Sequence, residues 1–292
     1  MNNFEANYNK ILEILKTITE KENFLTQIRE PKLKDIELIA MNLTSEYMSI
    51  DSECQLFRII PETLSCKIER SVYNRRKRKL FTSMEFIRKR LSEKFNEYED
   101  YYIVDSMPLE VTKLSRSGRS TICKESYLTA PNKGYCASQN MTYYGYKIHA
   151  VCSISGVFKS FDISKASVHD IHYLQDIKNQ FSQCVILGDK GYLSADYQLD
   201  LFESKKIKLE VPMRKNQTDY KKQSYIFRKS RKRIETLFSQ LCDHFMIRRN
   251  YAKTFNGFKT RILSKITSLT IIQYINKFIF DRNINNLKIN IV

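Results

Sequence analysis

Three acidic residues stand apart from the many surface acids of this chain. Asp105 closes the β-rich run Tyr101-Tyr102-Ile103-Val104. Asp189 follows the apolar run Cys184-Val185-Ile186-Leu187-Gly188 and leads into Lys190-Gly191-Tyr192. Glu235 stands among Arg231, Lys232 and Arg233, with Ile234 and Leu237 beside it. The two apolar runs read as strands. Carboxylates at the ends of central strands lie together at one edge of a sheet, where open α/β sheets build their sites. Three gathered carboxylates repel one another unless hard cations compensate, and Mg²⁺ and Mn²⁺ prefer oxygen ligands. Two such ions, roughly 3.5–4 Å apart, activate a water or hydroxyl and stabilise the leaving oxygen of an in-line phosphodiester displacement. Each acid alone also has an ordinary reading. Asp after a strand is a common turn residue, the Gly188–Gly191 stretch is a tight turn, and Glu235 can pair with Arg231 one helical turn away.

The composition fits a polyanionic partner for such a site. The 292 residues carry a net charge of +17, and Lys205 to Lys265 holds 18 Lys/Arg against 4 Asp/Glu, so the positive charge is concentrated there. That imbalance points to nucleic acid, with Lys and Arg holding a phosphate backbone against the metals. Hydrophobic residues make up 42% and charged residues 28%, which excludes a disordered chain; the scarcity of Gly (7) and Pro (5) speaks against a turn-rich all-β fold. The seven cysteines form no C-x-x-C pair and do not join the four histidines at zinc spacing, so they read as reduced thiols of a cytosolic protein. No secretory leader is expected. The uncharged stretch Ile266–Asn276, bracketed by Lys265 and Lys277, is too short for a membrane span and reads as a core helix.

The elements that position the acids follow from periodicity. Residues 1–99 read as a small helical domain. Ile11, Leu12, Ile14, Leu15 and Ile18 form one stripe, and Leu33, Ile36, Ile39, Ala40 and Leu43 a second. A third helix starts near Ser52, and a fourth runs from about Ser71 to Tyr98. The fourth carries Arg75-Arg76-Lys77-Arg78-Lys79, either a DNA-binding surface or a solvated charged face. Residues 100–292 read as an α/β domain with a helical tail. Its strands are expected at 101–105, 141–152, 157–163, 184–187 and 207–212, which makes a five-stranded mixed sheet. Helices are expected from Ser167, with Ser167 to Asp170 as a capping-box variant, then over 196–204, 227–245 and 255–280. Residues 113–140 read as an irregular loop, either touching DNA or plain surface. Lys147 and His149 share one face of a strand by period two; they suit phosphate contacts, or equally a sheet-edge Lys and a satisfied core His. Asp170 suits a helix-dipole cap. The tyrosines at 101–102 and 143–146 suit base stacking or core packing.

Four segments together carry a resemblance: Asp105-Ser106-Met107-Pro108, Tyr144-Gly145-Tyr146-Lys147-Ile148-His149, Gly188-Asp189-Lys190-Gly191-Tyr192, and Arg231-Lys232-Arg233-Ile234-Glu235-Thr236-Leu237-Phe238. They resemble the DDE transposases of bacterial insertion sequences, of the IS-four-like group, over about residues 100–280. The resemblance implies a ribonuclease-H-like catalytic core with the first Asp on the first strand, the second after the fourth, and the Glu on a late helix. It makes Asp105, Asp189 and Glu235 the catalytic ligands of two Mg²⁺ or Mn²⁺ ions. Arg231 matches an Arg-x-x-x-Glu signature and becomes a phosphate contact; Lys147, His149, Lys190, Arg228, Lys232, Arg75 and Arg76 are the further candidate DNA contacts. Two positions depart from the longer signature: Arg228 stands where a Tyr is expected and Cys242 where a Lys is expected. Those groups hold distorted ends in relatives that cut through a hairpin intermediate.

The implied activity is binding of the element's terminal inverted repeats, metal-dependent strand cleavage, and joining of the 3′ ends to target DNA. Water and then a 3′-hydroxyl are the nucleophiles. A homodimer or higher oligomer is expected on DNA, since two ends must be processed together, in the cytoplasm at the bacterial nucleoid and without a membrane. Two rivals keep the same sequence features: a ribonuclease-H-fold nuclease without strand transfer, and a catalytically silent relic that binds DNA ends.

Overall fold

The structure is a computed structural model that describes residues 3–95, 100–214, 216 and 220–292. Among these residues the elements in chain order are α1 (Phe4–Ile18), α2 (Asp35–Tyr47), α3 (Glu53–Ile59), α4 (Glu62–Ser65), α5 (Arg70–Lys79), α6 (Phe81–Glu93), β1 (Tyr101–Thr112), β2 (Asn132–Cys136), β3 (Met141–Ser153), β4 (Phe158–Lys165), α7 (Tyr173–Gln180), β5 (Val185–Leu187), α8 (Ala195–Lys205), β6 (Lys208–Glu210), α9 (Tyr225–Asp243) and α10 (Phe255–Phe278). Short 3-10 turns cover Asp170–His172 and Lys190–Tyr192. The chain divides into two compact units, residues 1–95 with 240–292, and residues 96–239.

The helical unit takes in both ends of the chain. The helical tail, which the sequence groups with the catalytic domain, packs here instead. The reason is that α10 is buried nearly all round, so it needs helices on every side. Its buried hydroxyls turn back on their own helix: Thr260, Ser264, Thr267 and Thr270 each donate to the carbonyl four residues earlier. Asn42 of α2 donates to Ser264 at 2.7 Å. Lys265 is 1% exposed, and its charge is held by Glu46 at 2.5 Å and by the Phe245 carbonyl at 2.6 Å. The single helix expected from Ser71 to Tyr98 is two helices, joined at the buried Leu80. No Pro or Gly marks the joint, and the inward residues Tyr73, Arg76, Leu80, Met84, Ile87 and Leu91 run through it without a break in period. The expected end at Tyr98 lies outside the described residues. Ser52 caps α3 as its type suggests, accepting from the Gln55 N–H at 3.1 Å.

The second unit is a mixed sheet with helices on both faces. β1 pairs antiparallel with β3, and β3 with β4; on its other side β1 pairs parallel with β5, and β5 with β6. The order β4-β3-β1-β5-β6 is the ribonuclease-H-like arrangement expected from the sequence. A sixth strand, β2, pairs with Met141–Gly145 of β3, inside the stretch that the sequence reads as loop. Two glycines allow these close approaches. A Cβ on Gly145 would fall 2.1 Å from the Leu109 carbonyl oxygen, and one on Gly134 2.4 Å from that of Ala166. Val104, Val151, Tyr173, Leu174, Ile177, Ile186, Tyr192 and Leu201 form the core under α7 and α8. On the opposite face α9 packs through Phe227 against Tyr101 and through Phe238 against Phe158. The capping box expected at Ser167 is absent. Ser167 instead exchanges two hydrogen bonds with Asn132, and His169 Nδ1 caps the turn by accepting from the Ile171 N–H.

Candidate active site

Asp105 does not end its strand; it sits within the 12-residue β1. β1 continues through Pro108 because β5 pairs only with Tyr101–Ile103, so beyond Ile103 that edge of β1 has no parallel neighbour to serve. The same truncation makes the site. Ile103 pairs with Leu187, the last residue of β5. Carried two residues further, this register sets Asp189 level with Asp105. The intervening step agrees, since a Cβ on Gly188 would lie 3.3 Å from Val104 Cγ1. The Asp189 carboxylate is fixed by the turn that follows, its Oδ1 accepting from the Gly191 N–H.

The face to which Asp105 points is covered by α9. Phe227, Arg231, Ile234 and Phe238 recur at helical spacing on the side of α9 that meets the sheet, with Phe227 and Phe238 anchored as above and Ile234 buried. Arg231 is therefore turned toward Asp105 and draws its carboxyl downward. Opposing forces are larger. Burial first, then the charges of Asp189 and Asp170, push the Asp105 carboxyl up to about 7, against the Ser106 N–H that bonds Oδ1 at 2.8 Å. Asp105 keeps some solvent access, yet protein crowds its carboxylate.

Glu235 lies one turn beyond Arg231, on the shoulder of the same face, and is exposed. Among the described residues no group of three or more His, Cys, Asp or Glu side chains is close enough to hold a metal ion. The fold thus brings together Asp105, Asp189 and Arg231, and leaves Glu235 beside them rather than with them. The donor set still suits a hard divalent cation. Asp105 and Asp189 offer carboxylate oxygens, and Asp105 is disfavoured as a bare anion by burial and by its neighbour.

The remaining candidates separate clearly. Lys147 and His149 do share one face of β3, but it is the wrong one. Asp105 pairs with Ala150 across the ladder and Ser106 with His149, so the two side chains point away from the Asp105 face. Lys147 Nζ donates to Asp170 Oδ1 at 2.8 Å and to the Val168 carbonyl at 3.0 Å. His149 is 2% exposed, bonded through Nε2 to Ser164 Oγ at 2.8 Å and stacked on Tyr173. Burial lowers its pKa to about 4, so it is a neutral core residue. Lys190, Arg228 and Lys232 are exposed in the sheet unit, Arg228 lying over the Tyr225 ring. In the helical unit Arg75 is exposed, whereas Arg76 is buried against Asp35 at 2.6 Å and the Leu33 carbonyl at 2.8 Å, a structural ion pair rather than a DNA contact. Tyr143 and Tyr146 are 1% exposed and belong to the core. The residue that sequence reasoning undervalued is Asp170, which with His169 resembles a feature of the family but reads more simply as a cap. Only the register of β3 relates it to Lys147, 23 positions earlier.

Residues 99–271, more than half of the chain, match the sequence profile of the family described as Transposase DDE domain. The chain belongs to the DDE transposase family. The match takes in Asp105, Asp189, Arg231 and Glu235. DDE transposase domains generally use divalent metal ions. No curated protein matches the chain significantly. Two solved structures, a Mos1 transposase paired-end complex with the left transposon end and a pre-cleavage Mos1 transpososome, each align over 90% of this chain and 85% of theirs, at 11% identity and a TM-score of 0.25. Similarity that low does not bear on the assignment. Among the described residues no helix is long and apolar enough to cross a membrane.

Proposed function

We propose that this DDE transposase binds the terminal inverted repeats of a bacterial insertion sequence of the IS-four-like group, cuts the DNA at those ends, and joins the 3′ ends to a target. The observation that carries the reading is the meeting of Asp105 and Asp189 at the edge where β5 stops, with Arg231 turned toward them. Asp105, Asp189 and Glu235 are the proposed ligands of two Mg²⁺ or Mn²⁺ ions. Bound there, the ions supply activation of a water or 3′-hydroxyl and stabilisation of the leaving oxygen. The protein's own part is binding and orientation. Arg231 holds a non-bridging phosphate oxygen at the carboxylates and offsets their charge. Lys190, Arg228 and Lys232, all exposed, hold the flanking backbone, and Arg75 belongs to a second backbone-binding surface on the helical unit. Glu235 completes the ligand set when α9 adjusts around DNA. The protein works as a dimer or higher oligomer, because two ends are processed together, at the bacterial nucleoid.

The test is cleavage of DNA carrying the element's own ends, wild type beside Asp189→Asn, with Mg²⁺ or Mn²⁺. Metal-dependent nicking at the ends by wild type, and binding without cutting by the variant, is the expected result. Wild-type protein that binds ends and cuts with neither ion leaves a DNA-end-binding relic as the correct reading. Cutting without any strand-transfer product leaves a nuclease.

A further inference from the structure

Beside Asp105 and Asp189 lies a second polar cluster that the proposed chemistry does not use: Lys147, His149, Asp170 and Tyr192. Two of its members are buried with an atom lacking a hydrogen-bond partner. Tyr192 is fully buried and its hydroxyl is unbonded; His149 Nδ1 is unbonded and 3.8 Å from Asp170 Oδ1. At the centre is Asp170. Its Oδ1 is held by Lys147 Nζ at 2.8 Å, while its Oδ2 lies 3.5 Å from where a Cβ on Gly191 would stand. The same Gly191 donates its N–H to Asp189 Oδ1. Asp170 thus has the long strand β3 on one side and the turn that fixes the Asp189 carboxylate on the other.

The Asp189 turn needs such support. It follows a strand of only three residues, and the β1–β5 ladder ends at Leu187, before the turn begins. The register brings Asp189 level with Asp105, but from there on the backbone is a single 3-10 turn, Lys190–Tyr192, and no ladder pair holds the carboxylate in place. β3, by contrast, is 13 residues long and paired on both edges, so Lys147 is a firm anchor. A third carboxylate this close to two others is unfavourable unless it is neutralised, and the Lys147 ammonium does that.

We propose that the Lys147–Asp170 ion pair is a strut that holds the Asp189–Tyr192 turn against β3, which makes Asp170 a positioning residue for the Asp189 carboxylate. The inference rests on the reading of Asp189 as a metal ligand. Groups that orient a metal ligand typically contribute a factor of roughly 10–100 in metal affinity.

The test is Mn²⁺ binding to the full chain without DNA, by titration calorimetry, with a circular-dichroism melt to check that each variant is folded. Asp170→Asn and Lys147→Met are each expected to weaken binding by roughly 10-fold or more, and the double variant to be little worse than either, because the two side chains act as one unit. Gly191→Ala leaves both side chains of the pair in place; its methyl group would stand 2.9 Å from Asp189 Oδ1 and 3.5 Å from Asp170 Oδ2, and weaker Mn²⁺ binding with a wild-type melt is expected. Wild-type affinity in Asp170→Asn and Gly191→Ala, while Asp189→Asn loses binding, overturns the strut and leaves the proposed function standing. Loss in Asp170→Asn with wild-type affinity in Lys147→Met makes Asp170 a ligand and also overturns the strut. Wild-type affinity in Asp189→Asn removes the metal site itself, and the strut with it.

Discussion

Replacing Asp105 by Asn should stabilise this protein in the absence of divalent ions, and by an amount that depends on pH. The Asp105 carboxyl is pushed from an ordinary 3.8 up to about 7, chiefly by burial and then by Asp189 and Asp170. The folded state therefore keeps a proton that the unfolded chain has already released between about pH 4 and pH 7. A state that binds more protons loses stability as pH rises, so the wild type becomes less stable across that window and levels off above it. Three units at 1.36 kcal/mol each give a penalty of about 4 kcal/mol at pH 8; residual solvent access at Asp105 brings the expectation to about 2–4 kcal/mol. Asn has the same shape and can still accept from the Ser106 N–H at Oδ1, so it removes the charge and little else. Urea unfolding followed by far-ultraviolet circular dichroism, in chelator from pH 4.5 to 8.5, measures the difference; the chain has no Trp to report by fluorescence. The variant should be the more stable at pH 8, and the two curves should converge toward pH 4.5. Adding Mn²⁺ at pH 8 should raise the wild type and leave the variant nearly unchanged. A variant no more stable than wild type at pH 8, or a difference that does not shrink with acid, would refute the account of Asp105 as a crowded carboxyl awaiting a cation.

Two further outcomes test the helical unit. Glu46 is 3% exposed and serves Lys265 at 2.5 Å and Arg261 at 3.3 Å; Glu46→Gln leaves both cations short of their counter-charge and should cost about 3 kcal/mol or more in urea unfolding. A loss under 1 kcal/mol would mean that the buried ammonium finds another partner. In the basic run of α5, Arg75→Ala should change stability by less than about 0.5 kcal/mol, lower DNA affinity and reduce the salt slope of binding by about one. Arg76→Ala should destabilise the unit by about 3 kcal/mol, because the fully buried Asp35 keeps its Phe24 and Leu25 N–H donors but loses its counter-charge. Equal effects of both on DNA binding at unchanged stability would place Arg76 on the DNA surface after all.

Local patterns in the sequence were enough to find most elements and the pieces of the site. Helical periodicity located α1, α2 and α10, and the β-rich and apolar runs ending in Asp105 and Asp189 located the central strands. These signals are local: side-chain period and residue type repeat within one element, whichever way that element is later packed. The joint at Leu80 escaped because the apolar period passes through it without a breaker. The strand β2 escaped because Asn132–Cys136 gains its ladder only from β3.

What the tertiary structure alone decided was which local features meet. Period two sets Lys147 and His149 on one face of β3, but which face is fixed by the pairing of Asp105 with Ala150, and that pairing turns both away from Asp105. Five consecutive basic residues in α5 look alike in sequence; packing buries Arg76 against Asp35 and leaves Arg75 outside. The tail after residue 240 follows α9 in sequence yet packs with the amino-terminal helices, because α10 needs apolar neighbours on every side. The closeness of Asp105 to Asp189 arises from a ladder joining residues 84 positions apart, and the turn toward Asp170 from a lysine 23 positions before it. Sequence spacing carries no information on such contacts, since register is a property of two strands together and neither strand specifies it alone.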